Sequence, residues 1–141
     1  MTTLSNQPLD LDSLLAETED DSAGALVVFS GTIRNHHDNK SVERLSYTAY
    51  EPIAKKAIAE IEQEVKDIFG VTQCRIIHRI GDLEIGDIAI HCVVRSAHRG
   101  EAFEAAKYAI DTTKSRVPIW KEEHYSDGTS VFREGTPLKA D

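Results

Sequence analysis

Between residues 52 and 70 the apolar side chains Ile53, Ala57, Ile61, Val65 and Ile68 recur at spacings of three and four, the repeat of a single helix face. Pro52 suits a first helical turn, because the N–H it lacks would have no partner there, and Gly70 is placed to stop the run. A helix that is apolar along one stripe has to lay that stripe against another layer. The flanking sequence supplies strands for it. Residues 42–50 alternate, with Leu45, Tyr47 and Ala49 on one face. Residues 71–80 put Cys74, Ile76, His78 and Ile80 on one face; two Gly-Asp turn signals in IGDLEIGD follow, and then Ile88, Ile90, Cys92 and Val94 alternate with Ala89, His91, Val93 and Arg95.

Other segments extend the pattern. Residues 9–19 carry Leu9, Leu11, Leu14 and Leu15 among acids, as a short amphipathic helix does. Residues 24–32, GALVVFSGT, have the composition of a buried strand, and RNHHDNKS after it has that of a loop. SAHRGEAFEAAKYAIDTTKSRV predicts a second long helix with Phe103, Ala106, Ile110 and Thr113 along one stripe. Pro118 then forces extended geometry, and residues 118–125 and 129–133 predict a hairpin around Ser126-Asp127-Gly128. The order strand, strand, helix, strand, strand, helix, strand pair implies an α+β two-layer fold with a mainly antiparallel sheet and two main helices. At 141 residues the expectation is a single domain.

The formal net charge of −8 argues against nonspecific nucleic-acid binding, which draws on an excess of Lys and Arg. No apolar run has the length of a membrane span, and MTTLSNQPLD lacks the basic start and apolar stretch of a secretory signal, so a cytoplasmic location is expected. Cys74 and Cys92 lie inside strand-like runs without a CxxC pairing and are expected to be buried small hydrophobes.

Basic residues are nevertheless grouped. Arg34, His36, His37, Lys40 and Arg44 fall close together, His98 and Arg99 are adjacent, and Lys114, Arg116 and Lys121 form a third group. Brought together, they would give an acidic protein one basic pocket, suited to a small anion. His98 and Arg99 stand where a strand hands over to a helix, whose free N–H groups favour negative charge; they are equally explained as solvated residues at a loop corner. A turn at Pro118 folds Lys121 back towards Lys114, and two ammonium groups in a partly dry site depress each other's pKa. Lys114 also suits a helix C-terminus with no function at all. Arg34 offers a guanidinium fork for a carboxylate or phosphate, or is an exposed loop arginine; Glu123 orients Lys121, or is a surface acid. His36-His37-Asp38 has no third ligand at metal spacing, so no metal site is expected, and no nucleotide-binding glycine motif is present.

Taken in order, VVFSGTIRNH, SVERLSYTAYEPIA, IIHRIGDLEIGD and SAHRGEAFEAAKYAIDTTKSRVPIWKEE resemble the large, catalytic subunits of molybdopterin synthases over about residues 24–128. The resemblance implies an α/β hammerhead fold and a homodimer carrying a small ubiquitin-like sulfur-carrier subunit at each end. The carrier's C-terminal Gly-Gly thiocarboxylate would enter a pocket and give sulfur twice to cyclic pyranopterin monophosphate, forming the molybdopterin dithiolene with no further cofactor. By motif, Lys114 and Lys121 match the two essential lysines. Arg34, His98 and Arg99 match residues that meet the substrate's anionic groups, and Phe29 and Glu123 match the pocket for the partner's tail. Glu122 departs from the family pattern, which often has a basic residue there. The ending Lys139-Ala140-Asp141 lacks Gly-Gly, so the chain is not expected to be the carrier itself. The alternatives are a noncatalytic dimeric module that binds a phosphorylated small molecule or a partner's tail and, less well supported by these motifs, a metal-dependent hydrolase.

Overall fold

The computed structural model describes residues 2–134; Lys139-Ala140-Asp141 lie outside them. The elements are β1 (Leu4–Ser5), α1 (Leu11–Glu17), β2 (Ala25–Thr32), β3 (His36–His37), β4 (Lys40–Ala49), α2 (Glu51–Phe69), β5 (Gln73–Arg79), β6 (Gly81–Glu84), β7 (Ile88–Ser96), α3 (Arg99–Arg116), β8 (Ile119–Tyr125) and β9 (Ser130–Glu134). One sheet has the order β1-β5-β7-β2, antiparallel except for the short β1–β5 pair. A second runs β3-β4-β8-β9, with β6 also paired to β4. This is the expected α+β architecture, dominated by antiparallel pairing.

Both long helices pack on the first sheet and close the main core. α2 contributes Ala54, Ile58, Ile61 and Val65, α3 contributes Ala102, Ala105, Ala109 and Ile110, and β5 and β7 answer with Cys74, Ile76, Cys92 and Val94. Ile58 and Ile61 are wholly buried, worth about 1.5–3 kcal/mol each. The short α1 covers the opposite face, where Leu14 meets Ile77 and Val93. The stops fall where the local chemistry puts them: Gly70 takes a left-handed φ of 68°, and its N–H bonds Lys66 O at 3.0 Å. At the start of α3, the Glu101 carboxylate accepts the His98 N–H at 2.8 Å and the Ser96 hydroxyl at 3.0 Å.

Four expectations are corrected. β2 is an edge strand rather than a buried one: Leu26, Val28 and Phe29 are exposed, because β7 pairs with only one of its sides. The buried stripe of α2 is 54-58-61-65, which leaves Ile53 and Ile68 outside. α2 carries two overlapping apolar rows, and periodicity alone does not choose between them. On α3 Phe103 faces outwards at 62% exposure, because the inner face is built from alanines that let the helix approach the sheet and α2 closely. Finally, residues 34–41 are not simply a loop: β3 and β4 form a hairpin through Asp38 and Asn39, with φ of 50° and 64°. Two consecutive left-handed residues make the tight turn that matches strand twist, and Asn and Asp tolerate that conformation best after glycine.

Candidate active site

Where the C-terminal end of α3 meets the ends of β2, β4 and β8, a cavity of about 480 Å³ opens. Among the described residues its cationic lining comes from Arg34, Lys114 and Lys121, and none of the lining is acidic. Phe29, Ile90, Val117 and Ile119 supply apolar walls.

Each cation is placed by local structure. Ile33, buried at 4% exposure, anchors the end of β2 by donating to Asp87 O at 3.0 Å and accepting from Gly86 N–H at 3.0 Å, so Arg34 leaves the strand at the cavity mouth. Gly31 precedes it because space is short: a Cβ there would stand 2.9 Å from Ile90 Cγ2. Lys114 lies in the last turn of α3. Pro118 then turns the chain into β8, where Ile119, Lys121, Glu123 and Tyr125 share one face at the strand period of two. Burial holds the Lys121 ammonium below the ordinary lysine value; the Glu123 charge opposes that, and the charges of Lys114, Arg34 and Arg133 add to it.

Glu123, at 4% exposure, sits one strand period beyond Lys121. His37 Nδ1 lies 2.7 and 2.8 Å from its two oxygens, Arg133 Nε donates at 2.9 Å, and the Tyr125 hydroxyl donates at 3.0 Å. Burial pulls the Glu123 pKa up, but the Arg133, His37 and Tyr125 hydrogen bonds outweigh it and leave the carboxyl below its usual value. The group is therefore a fixed negative charge beside Lys121. Arg133, directly opposite Lys121 across the β8–β9 ladder, also bonds Asp38 at 2.9 Å.

The structure brings Phe29, Arg34, Lys114 and Lys121 together, with Glu123 adjoining them. It does not bring His98 and Arg99. They begin α3, beside a separate recess with Leu26 and Phe103, and sixteen residues separate His98 from Lys114, about 24 Å along a helix at 1.5 Å per residue. Sequence reasoning missed four contributors. His37 and Arg133 tie down Glu123, and Tyr47 and His78 line the cavity. The signal for His78 was present, since it occupies an apolar position in the alternation of β5. Its neighbour Tyr47 pairs with Lys121 across β4–β8, and its phenol is pushed up to about 12 by burial and then by the Glu123 charge.

Fold and site define an α+β protein with a cation-lined pocket built around a partly buried lysine. The model of the family described as MoaE protein matches residues 4–116. The chain is 43% identical to the molybdopterin synthase catalytic subunit of Nostoc sp. over 126 residues, 89% of this chain and 76% of that protein. Among solved structures, molybdopterin synthase from Staphylococcus aureus superposes with a TM-score of 0.89 at 37% identity, covering 94% of this chain and 96% of the other. A protein–protein complex of subunits 1 and 2 of the molybdopterin-converting factor from Helicobacter pylori contains a chain that matches with a TM-score of 0.74 at 27% identity, covering 94% and 90%. The chain belongs to the MoaE protein family.

Proposed function

We propose that this chain is the catalytic subunit of a molybdopterin synthase, a sulfurtransferase. In this reading the cavity receives the C-terminal Gly-Gly thiocarboxylate of a small ubiquitin-like sulfur-carrier subunit, and sulfur passes twice to cyclic pyranopterin monophosphate to build the dithiolene. The observation that carries it is Lys121: a half-buried ammonium beside Lys114 and Arg34, in a cavity that no carboxylate among the described residues lines, inside a protein of net charge −8. Such a pocket concentrates positive potential where an anionic tail and a phosphate have to meet. Lys121 stabilises the oxygen on the tail's carbonyl carbon and exchanges a proton there, while Lys114 contacts the carboxylate that is left. Arg34 holds the phosphate with its fork. Phe29 walls the tail, and Glu123 orients Lys121.

His98 and Arg99 do not reach the cavity of their own chain, so phosphate contacts assigned to them require a second copy. Among the described residues β2 pairs on one side only, its Leu26, Val28 and Phe29 are exposed, and an apolar edge strand is a surface that pairs. We place the homodimer contact there. The Helicobacter pylori complex of two subunits supports the assembly with a carrier. Among the described residues no helix is long and apolar enough to cross a membrane.

The test mixes purified protein with a thiocarboxylated carrier and the pterin precursor and measures dithiolene formation. Turnover is expected, with Lys121→Ala and Lys114→Ala each abolishing it while still binding carrier. A complex without dithiolene would leave the noncatalytic binding module as the reading.

A further inference from the structure

We propose that His78 Nε2 is the acceptor for a peptide N–H of the entering tail, so that the cavity recognises the tail's amide as well as its terminal anion. This rests on the function proposed above. A chain segment entering a closed cavity brings two kinds of polar group. Its anionic oxygens meet Arg34, Lys114 and Lys121, but each peptide N–H also needs an acceptor once water is excluded. Cations cannot provide one, and no carboxylate among the described residues lines the cavity.

Four lining side chains carry oxygen or nitrogen lone pairs: Thr32, Tyr47, Thr113 and His78. Thr32 and Tyr47 have hydroxyl protons that turn towards an anion as readily as their lone pairs turn towards a donor. Thr113 is held back against its own helix, donating to Ala109 O at 2.7 Å. His78 differs from all three. Its Nδ1 lies 2.7 Å from Arg79 O, a carbonyl that can only accept, so Nδ1 carries the proton and Nε2 is bare in the neutral ring. Burial pushes the imidazole down to about 4, against the backbone bond that favours protonation, so the ring is neutral at physiological pH. No hydrogen-bond partner for Nε2 is found among the described residues, and it is not sealed among the fully buried, unpaired atoms. The Tyr47 ring packs edge-on at 4.9 Å between centroids and fixes the imidazole plane. Tyr47 pairs with Lys121 across β4–β8, so this acceptor stands within a residue or two of where the tail's terminus would lie. His78 is thus a preorganised, proton-free acceptor in an otherwise cationic lining.

The test uses intact carrier in three forms: the native Gly-Gly ending, and semisynthetic carriers in which an ester replaces the last or the penultimate amide. The ester keeps the shape and removes the N–H. With wild-type protein, one of the esters should weaken binding about tenfold, the size expected when one hydrogen bond to a buried acceptor is lost. That penalty should disappear in His78→Phe and persist in His78→Gln, which keeps an acceptor. A second reading needs no variant: the Nε2 nitrogen resonance of wild-type His78 should move upfield when native carrier binds and stay in place with the matching ester. If native carrier binds but neither ester shows a His78-dependent penalty and the resonance stays still, the inference is overturned alone. If native carrier fails to bind wild-type protein, the proposed function is overturned with it.

Discussion

A neutral histidine inside the cavity has a measurable consequence for stability. The His78 imidazole ordinarily titrates at 6.5 and is pushed down to about 4 by burial. Between those values the unfolded chain binds a proton that the native protein does not, so the folded state loses stability as pH falls. The loss begins near 6.5 and is complete below about 4; above 6.5 His78 contributes no pH dependence. At about 1.4 kcal/mol for each pH unit, the interval amounts to about 3.5 kcal/mol. Tyr47, packed against the ring, is neutral throughout this range. The perturbation is His78→Asn, whose side-chain N–H takes the place of Nδ1 towards Arg79 O but does not titrate. Urea unfolding followed by the fluorescence of Trp120, the single tryptophan, gives stability for both proteins from pH 7 to pH 4.5. Carboxylates and the other histidines are common to both and cancel in the difference. Wild-type stability should fall relative to the variant by more than 2 kcal/mol across that range. Parallel curves would refute a buried, uncharged His78 and with it the proton-free Nε2.

Glu123→Gln removes the one charge that raises the Lys121 pKa, so the limb of the turnover profile that reports Lys121 should move to lower pH, and the lost charged hydrogen bonds should cost about 2–3 kcal/mol in urea unfolding. Gly31→Ala drives a methyl to 2.9 Å from Ile90 Cγ2, a group too stiff to swing away; stability should drop by about 1–3 kcal/mol and carrier affinity with it, measured by denaturation and titration. Asn39→Val places a β-branched residue at a φ of 64° and should cost about 1–2 kcal/mol of stability, whereas Asn39→Gly should cost nothing. Val28→Asp puts a charge on the exposed edge of β2, and sedimentation should then show monomer with turnover lost while the fold is retained.

Local chemistry made the element order legible, since Pro52, Gly70 and Gly128 stop or turn the chain where residue type alone says they should. What periodicity could not supply was the partner of each face. GALVVFSGT has the composition of a central strand, and only the order β1-β5-β7-β2 shows that it lies at an edge. Phe103 lies on an apolar row, yet the alanine row beside it packs inside because close approach of α3 to its neighbours leaves no room for a phenyl ring. The same limit governed the site. Lys114 and Lys121 are seven residues apart with a proline turn between them, so their meeting could be inferred from the chain. His98 lies at the far end of the same helix, and a rigid rod sets a distance that no grouping of charges in sequence reveals.

The inward charge of β8 follows from pairing rather than from pattern. A strand that turns Ile119, Lys121, Glu123 and Tyr125 to one buried face would carry a large desolvation penalty if its charges lacked partners. Glu123 is matched by Arg133 from β9 and by His37 from the β3–β4 hairpin, segments 10 and 86 residues away in sequence. Lys121 receives part of that compensation from Glu123, but less than burial and its cationic neighbours remove, and its pKa stays depressed. Among the described residues the cavity lining itself holds cations and no carboxylate. An arriving carboxylate or thiocarboxylate would supply a negative charge, which is the physical reason for expecting the tail to bind there.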